Sequence, residues 1–212
     1  MTARRPTPVL TTVLVLVTLV GVIAAGTLAW YWWQRSGPAP DGVTVEAGVV
    51  FGDGDRTIDL YLDPACPACR ALELHQGDQL AQLADSGDFR VRYHVVGLLD
   101  GSTPDDYATR AANAAYCAHD AGFLREYLKS LADTTDPSAG TSDDELVAAG
   151  TAAGIDGAAA ESFADCVGEG TYEGFVRRSA DRAHDEGVTG LPTILVDGEA
   201  GSIPAPTTED QG

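Results

Sequence analysis

Cys66-Pro67-Ala68-Cys69 lies between a strand-like run, Thr57 to Leu62, and a helix-like one, Ala71 to Leu83, which Gly77 could interrupt. Pro64 and Pro67 suit a loop that turns into a helix start. This placement is the strongest constraint on the fold, because it requires a strand to deliver two thiols to the first turn of a helix. The unpaired backbone N–H groups and the positive dipole end of a helix N-terminus favour a thiolate, the reactive form of cysteine. Cys69 stands one helical turn further on, within reach of Cys66. The spacing therefore predicts that Cys66 attacks a substrate sulfur and that Cys69 resolves the mixed disulfide. Zinc binding would need a second ligand pair at matching spacing. Cys117 and Cys166 are far apart, and His75, His94, His119 and His184 form no close pair, so neither a metal nor an organic cofactor is expected. An inert disulfide closing so small a loop would gain little stability.

Val91 to Val96 reads as a second strand, rich in β-branched and aromatic residues. Residues 104–186 are Ala-rich and read as five helices: Tyr107–Ala121, Phe123–Ala132, Glu145–Ala153, Ala158–Val167 and Glu173–Glu186. Ser142-Asp143-Asp144-Glu145 fits a capping box, and Gly122, Gly154 and Gly187 are natural helix stops. Thr193 to Val196 reads as a buried strand closed by the turn Asp197-Gly198. The expected domain, residues 49–212, is thus an α/β sheet with a helical insertion over about 104–186.

With these pieces in place, Asp63-Pro64-Ala65-Cys66-Pro67-Ala68-Cys69 resembles the D-x-x-C-P-x-C signature of DsbA-like thioredoxin-fold oxidoreductases. Val188-Thr189-Gly190-Leu191-Pro192-Thr193 resembles that family's G-V-x-G-x-P-T loop. The resemblance covers roughly Val45 to Gly198. It implies a thioredoxin-like fold and a redox pair Cys66/Cys69 supported by Asp63, Pro67 and Ala68. It also implies a cis Pro192 beside the pair and a Leu191 backbone that pairs with an extended substrate segment. Relatives often carry a bulky residue such as His where Ala68 stands, and an acid where Leu60 stands. Asp59 is one residue off and should face the other side of its strand as a solvated or hydrogen-bonded residue. After Val196 the fold normally continues with another strand and a terminal helix, but Glu199 to Gly212 shows no 3.6-residue apolar period.

The first 35 residues point to the compartment. From Val9 to Trp33 no residue is charged. As a helix this run would span about 37 Å, enough for a hydrocarbon core. Arg4 and Arg5 precede it, and Trp30, Tyr31, Trp32 and Trp33 close it, predicting a cytoplasmic N-terminus (1–8), a transmembrane helix (9–33) embedded in the lipid bilayer, and a linker (34–48). A cleaved signal peptide, cut after Ala24-Ala25-Gly26, is the alternative. Either way the domain is expected outside the cytoplasm, the anchor reading making it a single-pass protein of the cell membrane. In that oxidising compartment Cys117 and Cys166 read as a structural disulfide between two helices, with a second redox pair as the alternative.

The net charge of −19, from 32 acids against 13 bases, repels phosphate backbones, so nucleic acid is not an expected partner. The expected partners are extracytoplasmic protein thiols and disulfides, together with a membrane redox partner for re-oxidation. The chain reads best as a thiol:disulfide oxidoreductase acting as an oxidase. Isomerisation, reduction, or a non-catalytic binding module on the same scaffold are the alternatives.

Overall fold

The computed structural model describes residues 8–35 and 37–205; within 8–14 and 31–35 it describes the helical backbone but not the side chains. The chain divides into two units, residues 1–36 and the remainder from Gly37.

The described residues of the first unit form one helix, α1, Pro8–Arg35. It covers the uncharged run, and side chains 15–30 are described. Among the described residues no helix is long and apolar enough to cross a membrane. The described stretch is shorter than the roughly 20 residues that a hydrocarbon core requires. The expected transmembrane helix 9–33 is therefore not seen as such, and its ends lie outside the described side chains.

The second unit opens on β1, Val49–Phe51, followed by β2, Arg56–Leu62, helix α2, Pro67–Asp85, and β3, Phe89–Val95. Two short 3-10 turns, Asp100–Ser102 and Pro104–Asp106, lead into the helical insertion. It comprises α3, Tyr107–Asp120, α4, Leu124–Thr134, α5, Asp143–Ala152, α6, Gly157–Glu169, and α7, Glu173–Asp185. The chain returns to the sheet through β4, Thr193–Val196, and β5, Glu199–Ala200.

The sheet order is β1-β3-β2-β4-β5. β2 is central, parallel to β3 and antiparallel to β4. Successive side chains of a strand face opposite ways. Accordingly Leu60 and Leu62 join Leu80 and Leu83 of α2 in the main core, while Tyr61 lies with Val96 and with Ala183 of α7 in a second cluster.

The five helices of the insertion start and stop within two residues of their expected ends. Ser142 caps α5 and Glu145 caps it reciprocally. Gly122, Gly154 and Gly187 hold positive φ beyond the ends of α3, α5 and α7, a region that costs glycine little. The Asp197-Gly198 turn has positive φ at both residues, the two-residue hairpin geometry whose twist matches that of its strands. Helix α2 runs unbroken through Gly77, where one glycine costs only about 1 kcal/mol.

The structure adds three features. β1 is three residues long, too short to show a period, and is held by antiparallel pairing to β3. β5 forms a hairpin with β4, and Ile203 beyond it returns to the core while the Gln79 side chain donates to Pro204 O at 2.6 Å. Much of the stretch read as a linker packs on the domain: Val43 is buried, the Asp41 N–H donates to Asp120 Oδ1 at 3.2 Å, and Arg178 donates to Gly37 O at 2.9 Å.

Candidate functional site

β2 ends at Leu62, and the next four residues turn the chain into α2. Asp63, fully buried, organises that turn. Its Oδ1 accepts the Ala65 N–H at 2.8 Å, its Oδ2 accepts the N–H groups of Leu98 and Leu99 at 2.7 and 3.0 Å, and its carbonyl accepts the Cys66 N–H at 2.9 Å. One side chain thus ties the loop carrying Cys66 to the loop following β3.

Cys66 is the N-cap of α2, with extended backbone, and its Sγ accepts the Cys69 N–H at 3.3 Å. Pro67 occupies the first turn, where a missing N–H goes unnoticed, and that turn carries no acid to oppose a thiolate. Cys66 and Cys69 are both free thiols, 6% and 1% exposed, while Pro67 and Ala68 between them are exposed. Burial, then the hydrogen bond to Cys66, pushes the Cys69 thiol far above its ordinary range. The two sulfurs are therefore unequal: one at the helix start, the other one turn in and sealed from water.

The loop before β4 comes up beside Cys66. The Leu191–Pro192 peptide is cis, and the Cys66 thiol donates to Leu191 O at 3.5 Å. Residues 125 positions apart in sequence thus meet at one sulfur. Cys117 of α3 and Cys166 of α6 are joined by a disulfide with Cα atoms 5.9 Å apart, and neither lines the small cavity beneath Cys69. Asp59 faces away from Leu60 and accepts from His94 Nε2 at 3.1 Å and from Arg92 at 3.4 Å. Burial opposes its charge, but those two partners outweigh it and hold the carboxyl below its ordinary value.

Two residues near the pair carried no sequence signal. Arg70, next to Cys69, donates to Leu131 O at 3.2 Å, to Ala132 O at 2.8 Å and to Thr135 Oγ1 at 3.0 Å. It closes the C-terminal end of α4 and so clamps the insertion to the redox helix. Glu73, one turn past Cys69, is 4% exposed. In sequence it is an ordinary helical glutamate, and only its spacing from Cys69 distinguishes it. Among the described residues no group of His, Cys, Asp and Glu is arranged to hold a metal ion.

Burial raises the carboxyls of Asp63 and Glu73. The Asp63 carboxyl stands at about 6, despite its three N–H donors, and the Glu73 carboxyl at about 8, with the Lys129 ammonium pulling weakly the other way. A carboxyl whose folded value is raised favours the folded chain below its unfolded value, and that contribution is lost as pH rises through the folded value. Stability should therefore fall between about pH 4 and 6 through Asp63, by on the order of 3 kcal/mol, and on toward pH 8 through Glu73, by on the order of 5 kcal/mol. Asp59, lowered, acts in the opposite sense, and only in the acid range. Urea midpoints measured from pH 4 to 9 should show the decline, and Glu73→Gln should remove its upper part. A midpoint that is flat or rises over this range would contradict these two environments.

Residues 45–210 match the family model described as Thioredoxin. In fold the chain is similar to the reduced form of the disulfide bond oxidoreductase DsbG from Mycobacterium tuberculosis. That match has a TM-score of 0.60 and 25% identity over 82% of this chain and 86% of that one. The chain is also similar to MdbA, a thiol-disulfide oxidoreductase from Actinomyces oris, with a TM-score of 0.68 and 20% identity over 81% of this chain and 86% of that one. Among curated proteins it is similar to the serine/threonine-protein kinase PknE of Mycobacterium tuberculosis, 32% identical over 100 residues, 40% of this chain and 18% of the kinase. The match thus spans about a fifth of the length of that relative.

Proposed function

Because this chain belongs to the thioredoxin family, we propose that it is a thiol:disulfide oxidoreductase in which Cys66 and Cys69 carry the exchange. The observation that carries this reading is the position of Cys66. Its sulfur caps α2, accepts the Cys69 N–H at 3.3 Å and lies 3.5 Å from the backbone of the cis-Pro192 loop. A substrate thiolate attacks the Cys66 sulfur of the oxidised enzyme and Cys69 leaves. A second substrate thiol then displaces Cys66, so that two electrons pass from substrate to enzyme. An extended substrate segment would lie along the backbone of Leu191, as an added strand does. Asp63, Pro67 and Ala68 keep the loop in place. The first two do so by hydrogen bonding and by fixed φ, and the third is a small, exposed residue of the same turn.

The direction we favour is oxidation of protein thiols outside the cytoplasm, with re-oxidation by a membrane redox partner. The solved relatives are named as disulfide-handling enzymes, and the pair Cys117–Cys166 is bonded, as suits an oxidising compartment. The uncharged run within α1, preceded by Arg4 and Arg5, supports a tether to the bilayer at 9–33. Refolding of a reduced, disulfide-containing substrate by the oxidised chain tests the activity. On whole cells, a membrane-impermeant thiol reagent should label reduced Cys66. No refolding and no insulin reduction would leave a binding module on this scaffold, and labelling only after membrane disruption would reverse the topology.

A further inference from the structure

The Leu191 backbone belongs to a loop whose two ends are held by one residue of the central strand, Tyr61 of β2. At one end the Tyr61 hydroxyl donates to Glu186, the residue that caps the C-terminus of α7. At the other end its backbone lies opposite Thr193, the first residue of β4, in the antiparallel β2–β4 register. Residues 187–192 run between these ends, and Val188 and Leu191 pack against the cluster that Tyr61 forms with Val96 and Ala183. The loop is thus closed over a single side chain, and its Leu191 O lies 3.5 Å from Cys66 Sγ. Tyr61 is followed by Leu62 and then by Asp63, which ties down the loop carrying Cys66. Both halves of the site therefore meet at this position.

Tyr61 is also held still. It is 5% exposed, and its ring stacks on that of His94, with centroids 4.3 Å apart and planes 9° from parallel. His94 is fixed in turn by Asp59 at 3.1 Å, which Arg92 also holds. A buried tyrosine hydroxyl needs a hydrogen-bond partner, and a phenylalanine would fill the same space without that demand. The acceptor here is a carboxylate, and its two oxygens are divided: Glu186 Oε2 takes the Tyr61 hydroxyl and Oε1 takes the Arg182 Nε–H at 2.7 Å. Burial, then the Glu186 carboxylate, raises the Tyr61 hydroxyl above its ordinary value, so it stays a donor at neutral pH.

We propose that Tyr61 is a positioning residue for substrate binding: through its hydrogen bond to Glu186 it sets the Leu191 backbone against Cys66, and so favours extended polypeptides over small-molecule thiols. This rests on the thiol–disulfide reading above. An extended segment gains from pairing with the Leu191 backbone only when that backbone is already aimed, because ordering the loop on binding would subtract from affinity. A small dithiol makes no such pairing and needs only the Cys66 sulfur, so the position of the loop does not enter its reaction. The exchange of sulfurs is as described above, and no bond or proton passes through Tyr61.

Two substrate classes separate this role from a merely structural one. The oxidised full chain is mixed with an excess of a peptide dithiol or of dithiothreitol, and the limiting rate and half-saturating concentration are read after quenching by alkylation. Tyr61→Phe keeps the ring and its stack and loses only the hydroxyl. Its half-saturating peptide concentration should rise about tenfold, as loss of one hydrogen bond to a charged group predicts, with a limiting rate within about twofold of wild type. Its oxidation of dithiothreitol should slow by less than about twofold, because that reaction has no pairing to lose. Glu186→Ala should show the same split, and Glu186→Gln, which keeps an acceptor, a smaller rise. Tyr61→Phe combined with Glu186→Ala should do no more than either alone, as two partners in one hydrogen bond require. A wild-type half-saturating concentration in Tyr61→Phe overturns the proposal, as does equal slowing toward both substrates or an additive double variant. Should Tyr61→Phe not fold, Glu186→Ala decides alone, since that side chain is 31% exposed and its ion pair with Arg182 is a surface one. A wild type that oxidises neither substrate overturns the functional reading and this role with it.

Discussion

Cys69→Ser is expected to accumulate mixed disulfides with substrate proteins, seen as high-mass bands that vanish on reduction, whereas Cys66→Ser should accumulate few. Both variants should lose turnover by at least about a hundredfold. The asymmetry follows from the positions of the two sulfurs. Cys66 Sγ sits at the helix start, receives the Cys69 N–H and borders the loop where a substrate strand would lie. Cys69 is sealed inside, with its thiol pushed up by burial, so no large substrate reaches it. Removing Cys69 leaves attack intact and removes release, so the covalent intermediate persists. Removing Cys66 removes the sulfur a substrate can reach. Trapping by Cys66→Ser in place of Cys69→Ser would exchange the two roles. Unchanged turnover in both variants would end the oxidoreductase reading.

Local chemistry made much of this architecture legible. The helices of the insertion announce themselves through the Ser142–Glu145 box and the glycines at 122, 154 and 187, each a device that acts within one turn. β2 and β4 were legible because each stands beside a motif. β1 and β5 were not, since three and two residues carry no period and their pairing is set by the strand beside them. The docking of the Asp41 backbone is equally non-local, because its partner Asp120 lies some 80 residues away. At the site, the cysteines and Pro192 were legible by type and order. Glu73 was not: its burial comes from Leu128 and Leu131 of α4, and nothing in the sequence of α2 reveals that α4 covers it. The uncharged N-terminal run marks the limit of reading by composition. It forms a helix, yet among the described residues no helix is long and apolar enough to cross a membrane.

Changing Cys117 and Cys166 together to Ser should cost on the order of 4 kcal/mol of stability while exchange activity partly survives. The bond joins α3 to α6 across a sequence separation of 49. In the chain-entropy model, closing a loop of that size restricts the unfolded chain by about that amount. Domains of this kind are stable by only about 5–15 kcal/mol, so the loss is a large fraction of the total. The helices it joins carry much of the insertion's core: Tyr116 of α3 stacks edge-on against Phe175 of α7, and Phe163 of α6 against Tyr127 of α4. Loosening α3 from α6 should therefore weaken the insertion first. The redox helix keeps its own supports, the Asp63 hydrogen bonds and the central sheet, so the Cys66 environment should outlast the loss at moderate temperature. Thermal unfolding, with non-reduced peptide mass spectrometry to verify the link in wild type, reads the first half, and insulin reduction reads the second. A folded double variant of unchanged stability would show that the bond does not hold the insertion together. A folded double variant without turnover would instead make Cys117–Cys166 a second redox pair in series with Cys66–Cys69.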